Sequence, residues 1–452
     1  MGLNSTWDDS ARPNEHVPPL DEDFQYGVRP LRGVNLGGWL ILEPFITPSF
    51  FDAYPLRKGV IDEYTLAAEL GPTRAKQVME KHYATFVTEE TFKNIADAGL
   101  DHVRLPYPYW IVDALEGDPY VPRVGWRYLL RAIEWARKYG LRVNLDLHSV
   151  PGNANGWNHS GRQGPVEWLN GTHGAFYGNL TLDYHEQLST FFAQPRYKNI
   201  VTLYGLVNEP RMFLLDPDEV IQWTKDAYDI VRGSGFEGKV IFGDGFRGAT
   251  SWQGVFNESR YPDMLLDMHQ YLIFNVDQIA LTHTGKLDFV CQQWTNTMAE
   301  STNPATGHGP TMVGEFSQAD TDCLKYLNNV GVGSRWEGSL NISDADQILT
   351  PSCAVPSNCT CEPTRMDPKH YSDAYKHYLL TAAEAQMDAF ESNGGWGFMY
   401  WTWAAETAEA TQWSYERGRN AGILPDKAYE RTFNCSTSLI TDYAALGLSE
   451  SY

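Results

Sequence analysis

Eight short apolar runs recur along the chain with helical patterns between them, and this alternation limits the fold more than any other feature. The runs are 31–38 (LRGVNLGG), 102–107 (HVRLPY), 141–148 (LRVNLDLH), 200–208 (IVTLYGLVN), 239–246 (KVIFGDGF), 264–271 (MLLDMHQY), 311–317 (TMVGEFS) and 396–403 (WGFMYWTW). Each is β-rich and bounded by glycine, proline or polar residues, as a parallel strand buried on both faces should be. Between them, 125–140 sets Leu129, Leu130, Ile133, Trp135 and Ala136 at helical spacing and stops at Gly140. The stretch 217–235 aligns Val220, Ile221, Thr224, Tyr228 and Val231 on one face, and 371–395 precedes the last run. Strand and helix alternating eight times, with no change of composition between halves, predict a single α/β domain: a (β/α)₈ TIM barrel with extended loops on its C-terminal face.

The barrel is expected over residues 31–425. Residues 1–30, polar and proline-bearing, read as an extended arm packed on the outside, and 426–452 as a C-terminal segment packed on the barrel. An open doubly wound sheet would want a phosphate-binding glycine loop after an early strand. GVNLGG lacks that spacing, and Trp39 follows where a helix should start. The stretch 318–366 reads as a long cysteine-containing loop after the seventh strand. A loop of that length is usually functional, and it leaves from the face where barrel enzymes place their chemistry.

Polar residues gather at the C-terminal ends of these strands: Asn35 and Glu43 after the first, Arg104 on the second, Asp146 and His148 on the third. The fourth ends on Asn208-Glu209-Pro210, the sixth carries His269 and Tyr271, the seventh Glu315, and the eighth Trp401 and Trp403. On a barrel these ends share one bowl. Glu209 and Glu315 would face each other across it, and two carboxylates so placed are the equipment of glycoside hydrolysis. One must stay ionised, which Arg104 and a nearby tyrosine hydroxyl would enforce, while the other must hold a proton near working pH. His148, His269 and Asn208 would orient both.

These stretches resemble glycoside hydrolase family 5, and within it the fungal exo-β-1,3-glucanases. The resemblance covers most of 31–425 and rests on RGVNLGGWLILEPFITPS (32–49), HVRLPYPYW (102–110), LDLHSVPGNANGWNHSG (145–161), NEP (208–210), DMHQY (267–271), VGEFSQADTDC (313–323), VGSRWEGS (332–339) and YWTW (400–403). It implies Glu209 as acid/base and Glu315 as nucleophile, with Arg104, His148, Asn208, His269, Tyr271 and Trp401 completing the site and Trp401 as its floor. Glu43 and Arg335 match positions that grip a terminal glucose and help close the pocket. Trp157 and Phe274 match an aromatic clamp at its entrance, and Asn158 matches a charged sugar contact made neutral here. A glycan on Asn158 would obstruct the mouth, so either that sequon is unoccupied or the substrate range is altered. Ala404 stands where relatives commonly have lysine, and Phe45 where tyrosine is frequent; both bear on linkage preference. The resemblance also pairs Cys291 with Cys435, leaving the partner of Cys323 open among Cys353, Cys359 and Cys361.

Eight Asn-X-Ser/Thr sequons (Asn4, Asn158, Asn170, Asn179, Asn257, Asn341, Asn358, Asn434) and six cysteines predict a secreted or cell-surface glycoprotein with disulfides, its leader or anchor lying outside this sequence. Cys359-Thr-Cys361 lacks zinc-knuckle spacing. No run reaches membrane length. A net charge of −22 opposes nucleic acid and anionic membranes as partners. Fifteen Trp and 25 Tyr supply flat faces that suit sugar rings. The expected partner is therefore a β-glucan, with no cofactor and no metal, since no His-X-His follows the first strand, and the protein is expected to act as a monomer. The expected activity is retaining release of glucose from β-1,3-glucan ends, with transglycosylation as a further outcome. The alternatives are a β-1,6-glucan or glucoside hydrolase and a non-catalytic wall protein that binds carbohydrate.

Overall fold

The computed structural model describes residues 5–342, 347–356 and 359–450; the sequons at Asn4 and Asn358 lie outside them. All eight apolar runs form strands: β1 (Leu31–Asn35), β2 (His102–Pro108), β3 (Arg142–Ser149), β4 (Val201–Gly205), β5 (Lys239–Gly243), β6 (Met264–Gln270), β7 (Thr311–Phe316) and β8 (Gly397–Tyr400). They pair in parallel in the ring order β1-β8-β7-β6-β5-β4-β3-β2, closed by β1 on β8 with Leu31 opposite Gly397. Closure excludes the open doubly wound sheet. Every residue of β2 and β3 is buried, which is why these strands lack alternation in the sequence.

The helical patterns form as their caps dictate. Pro217–Gly233 starts on Asp216, whose carboxylate accepts the free N–H groups of Asp218 and Glu219, and proline opens its first turn. Trp126–Lys138 buries Leu129, Ile133 and Ala136, and the chain leaves it through Gly140 at φ 71°. Asp373–Glu391 fills the outer layer before β8.

One irregularity positions the site. Between β6 and β7, Met268 pairs with Val313 but His269 pairs with Glu315, so Gly314 is an extra, unpaired residue. Its N–H finds a partner in Asp267 Oδ1 at 2.6 Å. Such a bulge bends a strand and re-aims the side chain beyond it. Here that side chain is Glu315.

The ends of the chain brace the barrel. Val17 and Phe24 pack with Leu31, Leu203, Ile241, Leu265, Met312 and Met399, so the N-terminal segment closes the barrel's lower end. Tyr26 Oη lies 2.7 Å from both His102 Nε2 and Thr202 Oγ1 beneath it. Near the other end, Tyr443 donates to Thr381 Oγ1 on Asp373–Glu391 at 3.0 Å. Disulfides join Cys291 to Cys435, Cys323 to Cys361 and Cys353 to Cys359. The second and third staple the loop after β7, which also carries a small antiparallel pairing of Leu340–Asn341 with Gln347–Ile348.

Candidate active site

Arg104, rising from β2 into the closed interior, organises the bowl. One guanidinium nitrogen donates to Asn35 Oδ1 at 2.9 Å and Glu315 Oε1 at 2.6 Å; the other donates to Asn208 Oδ1 at 2.7 Å and stands 3.1 Å from Asp146 Oδ1. A buried cation is tolerated only when its donors are met, and β1, β3, β7 and the turn after β4 contribute to meeting them. Asp146 also holds His148, whose Nδ1 is 2.8 Å away. Tyr271 donates to Glu315 Oε2 at 3.1 Å, so Glu315 sits between a guanidinium and a phenol as expected.

Glu209 leaves the end of β4 with φ 47°, and its Oε1 lies 2.6 Å from His269 Nδ1. The carboxylates of Glu209 and Glu315 and the His269 ring each offer an atom, all within 4.8 Å of one another. His269 is thus ringed by three carboxylates, with Glu315 Oε2 at 3.4 Å and Asp267 Oδ2 at 3.5 Å. Burial works against a charged imidazole, but these neighbours outweigh it and hold the His269 pKa well above its ordinary value. Burial likewise pushes Glu209 up, yet the bond and charge of His269, with His159 and His148 behind it, bring it well below the usual carboxylate range. Burial pushes Glu315 up, the Glu209 and Asp146 charges add to this, and His269 and Arg104 offset only part of it, leaving its pKa above the ordinary value. The cluster titrates as a unit. Within it the neighbouring carboxylates favour a proton on His269, and His269 in turn favours the ionised form of Glu209.

The rim is made of loops. Glu43, after β1, has a buried Oε2 with no partner among the described residues, and burial beside Glu315 and Glu209 drives its pKa well up. Trp401 stacks on His148 with ring centres 5.4 Å apart. Arg335 is fixed by Asp322 and Asn328 and lies over the Phe274 ring at 5.8 Å. Trp157 packs edge-on against Phe246 and under Arg211, while Phe274 packs on Tyr271 from the other side. Asn158 is buried with its amide N–H donated to Asn329. Phe45 is buried against Trp413.

Sequence patterns alone did not mark His159, whose Nε2 stands 3.4 Å from Glu209 Oε2. Nor did they mark Asp267, which holds both Gly314 and His269, or Asn329. Asp267 was legible as a third polar residue on an apolar strand; His159 and Asn329 lie in loops, where no periodicity marks a direction. Glu209, His269 and Glu315 are close enough to share a cation, but their facing atoms are already engaged with one another, Arg104 and Tyr271.

Residues 68–340 match the family model Cellulase (glycosyl hydrolase family 5). A probable glucan 1,3-beta-glucosidase D of Aspergillus clavatus is 53% identical over 446 residues, covering 99% of this chain and 53% of its own length. The protein of that name in Aspergillus niger is 52% identical over 439 residues, covering 97% and 52%. The chain thus spans about half the length of the curated relatives it matches. Among solved structures, a rutinosidase from Aspergillus niger superposes with a TM-score of 0.65 at 20% identity, covering 89% of this chain and 99% of that one, a likeness of fold.

Proposed function

Because the chain belongs to glycosyl hydrolase family 5, we propose that it hydrolyses β-1,3-glucan from non-reducing ends by double displacement, with Glu315 as nucleophile and Glu209 as acid/base. The approach of one oxygen of each carboxylate to within 4.8 Å of the other carries this reading. Retaining glycosidases set such groups about 5–5.5 Å apart, whereas inverting ones leave about 6.5–9.5 Å for a water. Glu315 attacks the anomeric carbon as Glu209 delivers a proton to the departing oxygen. Glu209 then takes a proton from the water that cleaves the glycosyl–enzyme ester, and glucose leaves as the β-anomer. Arg104 and Tyr271 keep Glu315 oriented, and the Arg104 charge favours its ionised form. His269 stores the proton 2.6 Å from Glu209, the distance over which it passes once a sugar displaces solvent. Glu43, with its unmet oxygen, is suited to a terminal glucose hydroxyl, and Trp401 to the face of that ring. Asn208 and His148 position the hydroxyl beside the reacting carbon, while Trp157, Phe274 and Arg335 line the entrance, with Asn158 beside them.

The β-1,3 linkage rests on the names of the relatives, and a comparison of laminarin with pustulan separates it from β-1,6 specificity. Exposed sequons at Asn170, Asn179, Asn257 and Asn341 and three disulfides suit a secreted or cell-surface glycoprotein. A complete site on one barrel needs no second copy. Among the described residues no helix is long and apolar enough to cross a membrane. Glucose released from laminarin should appear first as the β-anomer by NMR. Glu209→Gln and Glu315→Gln should each lower kcat by roughly 10²–10⁴-fold or more; unchanged turnover in either variant defeats the assignment, as does sensitivity of the activity to EDTA for the metal-free reading.

A further inference from the structure

The loops after β3 and β7 leave the sheet from opposite sides, since four pairings separate those strands in either direction around the ring. They nonetheless touch. Asn158 Nδ2 donates to Asn329 Oδ1 at 2.9 Å, and both side chains are buried. Asn329 is itself fixed: its Oδ1 also accepts from the Val330 N–H at 2.7 Å, and its φ is 101°. The contact needs an amide at 158, because a carboxylate has no proton to give an oxygen that is already an acceptor.

The neighbours on each side give the contact its meaning. Asn158 is flanked by Trp157 at the rim and by His159, which reaches Glu209. Asn329 follows Asn328, whose Oδ1 accepts from Arg335 at 2.8 Å. The same loop is tied down just before these residues by Asp52, which accepts from Lys325 Nζ and Tyr326 Oη at 2.7 Å each. The loop after β7 therefore lies across the β8–β1–β2 arc of the mouth. On the other arc Phe213, Phe246 and Phe274 are exposed.

A glucan can be cut internally only if it passes through the mouth from one side to the other. We propose that the Asn158–Asn329 hydrogen bond is a specificity-determining bridge that blocks one side, so that a chain enters by its end and its remainder leaves over the exposed phenylalanines. The proposal rests on the glucan-hydrolase reading above and deepens it. Asn158 and Asn329 act here as positioning residues.

The test compares the intact chain with Asn158→Ala, Asn329→Gly and the double variant, glycine being chosen because it keeps the positive φ. Two readouts are taken: amide hydrogen exchange of 155–161 and 323–339, and the products released from laminaripentaose. Either single variant should speed exchange in both segments and yield laminaribiose or longer products beside glucose. It should lower kcat/KM on the pentamer by about five- to tenfold, the scale of one neutral hydrogen bond, and Asn329→Gly should leave kcat on an aryl β-glucoside nearly unchanged. The double variant should be no worse than the worse single one, as for partners in one contact. Unaltered exchange in both segments overturns the bridge whatever the activity. Faster exchange with glucose still the sole product overturns its role in specificity. No glucose from the unmodified chain overturns the hydrolase reading and the specificity role with it, while the exchange data still decide whether the bridge exists.

Discussion

Glu209 adopts φ 47° immediately before Pro210, a conformation costly for a residue with a β-carbon and narrowed further by the proline ring. Strain of this kind persists where the surroundings over-determine it, and here the surroundings are His269 and His159 on its two oxygens. The hydrogen-bonded His269 has a consequence for pH. Its neighbouring carboxylates let it keep a proton well above the ordinary imidazole pKa of 6.5, so the proton required by Glu209 survives into more alkaline solution than a carboxylic acid alone would allow. In His269→Gln the proton must reside on Glu209 itself. The alkaline limb of kcat/KM, which reports the free enzyme, should therefore move to lower pH while the enzyme still folds. A pH–rate profile with an aryl β-glucoside checks this, and an unmoved limb removes His269 from the proton path.

At the scale of elements, the bulge in β7 turns a repetitive strand into a site. A β-carbon on Gly314 would come within 2.2 Å of both Asp267 oxygens, so the carboxylate that accepts the Gly314 N–H and flanks His269 would have to swing away. Gly314→Ala should lower stability by about 1–3 kcal/mol, as overpacking does, and should reduce kcat more than it raises KM; thermal denaturation and steady-state kinetics measure the two. The strands were legible in the sequence because burial on both faces writes itself as an apolar run, and the site was legible where such a run ended in Glu209, Glu315 or His269. The runs overshot at their C-terminal ends, with β1 stopping at Asn35 and β4 at Gly205, since the chain leaves the sheet there without a change of composition. The bulge was hidden because glycine in VGEF does not reveal its unpaired N–H. His159, Asn329 and the partner of Cys323 were hidden because loop geometry brings together residues that no local period relates.

For the whole molecule, buried acids set how stability varies with pH. Glu63 opens a helix with its Oε2 accepting the Leu42 N–H at 2.8 Å, and burial pushes its pKa from 4.5 up to about 8. A raised folded-state pKa means stability complete below 4.5 that falls as pH rises toward 8, because the unfolded chain releases its proton first. Glu43 and His269, both raised well above their ordinary values, act in the same sense. Other buried groups act in the opposite sense: His82 and His185, lowered to about 4 and about 3, with His102, His148, His159 and His308 also lowered, add stability as pH rises through 6.5. Lys286, lowered from 10.5 to about 8, changes stability above pH 8. The Glu63 contribution itself therefore falls as pH rises from 6.5 to 8. Glu63 alone accounts for about 1–2 kcal/mol over that interval. Glu63→Gln keeps the acceptor for Leu42 without an ionisable group, so its Tm should gain on that of the unmodified chain between pH 6.5 and 8. Equal changes of Tm in the two proteins would mean that Glu63 is ionised in the fold.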